Sequence, residues 1–66
     1  MADDNQGSRR DIYFEFTPVG ATVKVVAIDS LTGIEVTIMG PANAARGDLE
    51  RVALQKLKAR LAREAD

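Results

Sequence analysis

Side chains able to exchange protons, bind metals or attack carbonyl carbons are few in this 66-residue chain. It has no histidine and no cysteine, which removes the familiar nucleophile–base pairs and the common zinc sites. Glu15 and Glu35 are the best-placed carboxylates: they sit in two strand-like runs at positions of the same parity, hence on one sheet face. Paired carboxylates can divide acid and base roles across a cleft. So short a chain offers no deep cleft, and Lys24, in the run between them, would neutralise Glu15. A solvated face is the preferred reading. No catalytic residue, cofactor or metal is expected, and the chain is read as a non-enzyme.

A second candidate is the stretch Gly40-Pro41-Ala42-Asn43-Ala44-Ala45-Arg46-Gly47, where a strand-like run gives way to a helix-like one. Helix N-termini attract anions through free N–H groups and the helix dipole. A phosphate loop also needs converging N–H groups followed by Lys and Ser or Thr. Here Pro41 removes an N–H, and no Lys, Ser or Thr follows before Gln55. The stretch is therefore a hinge, in which Gly40 ends the strand, Pro41 bars further pairing, and Asn43 or Asp48 caps the helix.

The third candidate is the basic helix end, Lys56, Lys58, Arg60 and Arg63, the best nucleic-acid candidate in the chain. Cations there also suit a helix C-terminus, and they are read as spread around the helix. RNA-binding sheets present two or three stacking aromatics, whereas Tyr13 alone would face outward. Nucleic-acid binding is thus the secondary reading, expected to be weak and salt-sensitive.

The elements that must position these groups follow from periodicity. Residues 1–10 are polar and read as a disordered tail preceding one domain over 11–64. Ile12, Phe14 and Phe16 alternate with Tyr13, Glu15 and Thr17, as in a half-buried strand. "TPVGAT" reads as a turn, "TVKVVAID" as a second strand, "DSLTG" as a second turn and "IEVTIM" as a third strand. Leu49, Ala53, Leu54, Leu57 and Leu61 then recur at helical spacing. A turn tip at Val19-Gly20 would place Phe14 opposite Val25, Phe16 opposite Val23 and Glu15 opposite Lys24. The second loop, Ser30 to Gly33, would place Ala27 opposite Val36 and Val25 opposite Ile38. The fold class expected is α+β: a three-stranded antiparallel meander covered on one face by a single C-terminal helix. Phe14 and Leu57 are expected to be equally important core positions.

The strings "DIYFEF", "VKVVAID", "TGIEVTIMGPANA" and "LERVALQKLKARL" together resemble a family of short alphaproteobacterial proteins without an assigned function. The resemblance implies a cytoplasmic bacterial protein with β-β-β-α order. It brings no catalytic or binding residue.

The meander has two faces. Its second strand is apolar on both faces, and Tyr13, Val26, Ile28 and Met39 would lie on the face that a single helix cannot cover. A chain of this length buries only about 60% of its unfolded surface, and it has neither disulfide nor zinc to reinforce it. Net charge is −1, but residues 1–45 hold three cations against six anions and residues 46–64 six cations against three. An acidic sheet half and a basic helix half can attract one another between copies. Tyr13, Val26, Ile28 and Met39 are accordingly expected to form an interface in a homodimer, with the helix able to cross to the partner chain. Another protein is a further possible partner. The first residues contain no apolar run, so neither a membrane span nor a secretory leader is expected.

Overall fold

The computed structural model describes residues 10–64; the tail expected over residues 1–10 lies, apart from Arg10, outside them. Three strands, β1 (Ile12–Val19), β2 (Thr22–Asp29) and β3 (Glu35–Pro41), form an antiparallel sheet in the order β1-β2-β3, followed by α1 (Arg46–Glu64). The expected β-β-β-α architecture is the one observed. Alternation fixes the faces: Val25, Ala27 and Val36 point to the helix and meet Leu49, Ala53 and Leu57 in the buried core.

The second hairpin has the expected register, with Ala27 opposite Val36 and Val25 opposite Ile38. The first is displaced by two residues. Phe14 faces Ala27, Phe16 faces Val25, Glu15 faces Val26, and Lys24 stands opposite Thr17 rather than Glu15. The cause is turn chemistry. The central pair is Gly20-Ala21, and Gly20 has φ +61°, the conformation that a two-residue turn of the II′ type requires at its first central position. With its tip at Val19-Gly20, the turn would have demanded that conformation of a β-branched valine. A shift of two leaves every side chain on its expected face.

Pro18 and Pro41 both lie within strands, although Pro18 is expected in the first turn and Pro41 is expected to bar pairing. Asp29 N–H donates to Ile34 O and Ala42 N–H to Ala21 O, so the even-numbered residues of β3 bond to β2 and the odd-numbered ones face outward. Pro41 is one of the outward ones, on an edge strand, where no N–H is needed. Gly40 likewise does not end the strand. It pairs with Val23 and is buried beneath the helix; a Cβ there would stand 2.5 Å from Leu49 Cδ2. Its role is close approach of helix to sheet.

The helix start also differs from expectation. A turn closed by Ala44 N–H to Pro41 O leads into it, and Ala45 O accepts from Asp48 and Leu49 N–H. Asn43 makes no capping bond among the described residues. Asp48 occupies the first turn, where its charge suits the dipole, but its carboxylate accepts from Arg51 at 2.9 Å.

The helix lies over β2 and β3. Lys56 Nζ donates to Thr37 O at 2.7 Å, which places that flank of α1 at the outer edge of β3. The opposite flank, carrying half-buried Leu54 and Leu61, faces the β1 side. Ile12, Phe14 and Phe16 are consequently only half-buried.

Candidate functional site: an open sheet face and an open edge

The face turned away from the helix is a grid of four cross-strand rows. Tyr13, Ile28 and Glu35 form one, Glu15, Val26 and Thr37 the next, Thr17, Lys24 and Met39 the third, and Val19, Thr22 and Pro41 the last. The four expected interface residues do share this face. They differ in availability: Tyr13 is 56% and Met39 54% exposed, Ile28 is half-buried, and Val26 is only 8% exposed between its neighbours. Glu15 and Glu35 are both exposed and lie in different rows. Among the described residues no group of three or more His, Cys, Asp or Glu is placed to hold a metal ion.

The basic residues are arranged differently from expectation. Lys56, Arg60 and Arg63 are spaced i, i+4, i+7 and share one helix side, with Lys58 opposite. Two of the three on that side are engaged. Lys56 holds the β3 carbonyl, and Arg60 Nε lies 3.0 Å from Glu64 Oε2. The surface ion pairs of the helix contribute little to stability.

At the hinge, Arg46 stacks on Phe16, its guanidinium carbon 3.9 Å from the ring centroid. Phe16, Pro18, Val23, Ala44, Arg46 and Leu49 line a shallow groove of about 340 Å³. Its walls are largely apolar and it holds no acid–base pair.

A buried carboxylate was not anticipated from the sequence. Asp29 has no exposed surface. Its Oδ2 accepts from Thr32 Oγ1 at 2.7 Å and from Thr32 N–H at 3.1 Å. Arg10 Nε stands 2.8 Å from Oδ1, near enough for an ion pair but without hydrogen-bond alignment, so Oδ1 lacks an aligned donor. The Thr32 hydroxyl is the main reason the carboxyl is held below its ordinary value of 3.8; burial opposes it, and Thr32 N–H, Arg10 and Leu31 N–H assist. Together the donors and Arg10 outweigh burial. These bonds lock the Ser30–Gly33 loop, where Gly33 has φ +77° and its N–H donates to Asp29 O. The cluster is structural. Since folding lowers this pKa, its stabilisation is complete at neutral pH and declines as pH falls below about 3.8. Asp29→Asn should therefore lower the thermal midpoint at neutral pH and have a smaller effect near pH ~3. Melting curves across that range provide the check.

These features define a small β-β-β-α module with one face of its sheet uncovered. Residues 9–64 match the model of the family described as a domain of unknown function (DUF6898). The chain belongs to that family. No curated protein and no solved structure shows significant similarity to it. Among the described residues, no helix is long and apolar enough to cross a membrane.

Proposed function

We propose that the chain is a small non-enzymatic protein-interaction module of the bacterial cytoplasm that acts as a homodimer. The observation that carries this reading is the apolar surface one chain leaves uncovered. Tyr13 and Met39 are more than half exposed on the open face, and Ile12, Phe14 and Phe16 are half-open on the other. So small a core gains most from a second chain. The open face, with Tyr13, Ile28 and Met39, serves as the contact for a further protein, with Val26 beneath them supporting the face. Light scattering at tens of micromolar should give twice the 7.1 kDa chain mass; a value near one chain sinks the homodimer. Nucleic-acid binding through Lys56, Lys58, Arg60 and Arg63 has less support, because Lys56 and Arg60 already have partners within the chain.

A further inference from the structure

The two edges of the sheet are not equivalent. On β3 the outward carbonyl of Thr37 is occupied by Lys56 Nζ at 2.7 Å, and outward-facing Pro41 has no N–H. Such features discourage pairing. On β1, Ser30 N–H donates to Asp11 O, so odd-numbered residues bond inward to β2. The N–H and C=O groups of Ile12, Phe14 and Phe16 point outward. Among the described residues no α1 side chain hydrogen-bonds that edge as Lys56 does β3; Arg46 covers the Phe16 ring from the helix start, and the inner face beside it is half-open.

We propose that β1 is the homodimer contact: two copies pair antiparallel through their β1 edges, joining two three-stranded sheets into one of six strands. This rests on the homodimer reading and specifies where the copies meet. Charge selects the register. If Glu15 met the partner's Glu15, two like charges would stand opposite one another. A slip of two pairs the other way sets Asp11 against the partner's Glu15, with the same objection. The register between them centres the two-fold on Phe14, which faces the partner's Phe14. Ile12 then meets the partner's Phe16 on the inner face, and Tyr13 meets the partner's Glu15 on the outer face. Phe14 with the partner's Phe14, and Ile12 with the partner's Phe16 on either side of the two-fold, each exchange two backbone hydrogen bonds, and Tyr13 with the partner's Glu15 is a non-hydrogen-bonded pair. Pro18, which would fall opposite the partner's Arg10, ends the ladder for want of an N–H.

The occupant is a second copy for three reasons. The register is self-complementary. The half-open Ile12, Phe14 and Phe16 of one chain lie beside the same residues of the other, covering apolar surface that neither covers alone. And β3 is hindered from pairing by Lys56 and Pro41, while a two-fold contact through β1 is closed, so assembly stops at two chains instead of propagating. The chain's own residues 1–9 contain no apolar residue beyond Met1 and Ala2, which makes them a poor cover for two phenylalanines.

A chain of 66 residues is accessible to chemical synthesis, and N-methylation removes one N–H without changing a side chain. N-methylation of Phe14 acts on an amide that the intrachain sheet does not use. The expected result is a one-chain mass with the far-ultraviolet strand signal retained, whereas N-methylation of Met39, outward on β3, leaves a two-chain mass. A dimer that survives N-methylation of Phe14 overturns edge pairing but leaves the homodimer standing. A monomeric unmodified chain overturns both. Should the methylated chain fail to fold, amide exchange on the unmodified chain decides. The Ile12, Phe14 and Phe16 amides should be protected at high concentration and lose about tenfold or more on dilution below dissociation. Equal protection at all concentrations in a monomer would assign the edge to the chain's own first residues, and free exchange throughout would leave it unpaired; either result contradicts the proposal.

Discussion

Leu57→Ala is expected to destabilise the domain by about 2–5 kcal/mol, the range for removing a large aliphatic side chain from a core. Leu57 is the largest side chain with no exposed surface, and it lies against the sheet with Val25, Ala27 and Val36 in one cluster. A single small core rarely supplies more than about 3–5 kcal/mol, so the variant should be largely unfolded at room temperature. Urea titration followed by circular dichroism reads this directly. An unchanged midpoint would mean that the helix does not pack on this sheet through Leu57. Phe14→Ala, expected from the sequence to be its equal, should cost less within one chain because Phe14 is only half-buried. Part of its effect should instead appear as weaker association.

Gly40→Ala should cost about 1–3 kcal/mol through overpacking, although glycine-to-alanine in a strand would ordinarily stabilise. The added Cβ would stand 2.5 Å from Leu49 Cδ2, so Leu49, only 8% exposed, must turn toward the groove it lines and give up core contacts. Contact also makes a second, sharper expectation. Combined with Leu49→Ala, the change should cost less than the two single effects added together, because the smaller side chain vacates the space the methyl needs. Additive effects in the double-mutant cycle would show that Gly40 is not there for the helix.

What the sequence disclosed, and what it hid, divides along physical lines. Strict period-two alternation in β1 and β3 identified the inner face without reference to pairing, and the helical stripe of Leu49, Ala53 and Leu57 identified its cover. A tip at Val19-Gly20 satisfies side-chain complementarity between Glu15 and Lys24 but not backbone conformation at the turn, where Gly20 alone accepts positive φ. Pro18 is expected in a turn and Pro41 as a bar to pairing because an edge strand cannot be recognised before the sheet order is known. Asp29 closes the run "TVKVVAID" and opens the turn "DSLTG", and that placement alone assigns its carboxylate no role. Its spacing to Thr32 and Gly33 was the available signal, since a carboxylate three residues before a hydroxyl can hold such a loop. The site residues Tyr13, Val26, Ile28 and Met39 shared a face as parity required. The half-open β1 was invisible because it depends on which two strands the helix overlies.

The central claim is that one chain leaves β1 to be completed by another. Mixing isotope-labelled with unlabelled chains and recording only contacts between them tests it most directly. The account predicts contacts from Ile12 to the partner's Phe16 and between the two Phe14 rings, while those from Leu57 to Val25 stay within a chain. Interchain contacts from Leu57 to Val25 would mean helix exchange instead, and interchain contacts confined to Tyr13 and Met39 would place the copies face to face. Either pattern, without the β1 contacts, contradicts the account.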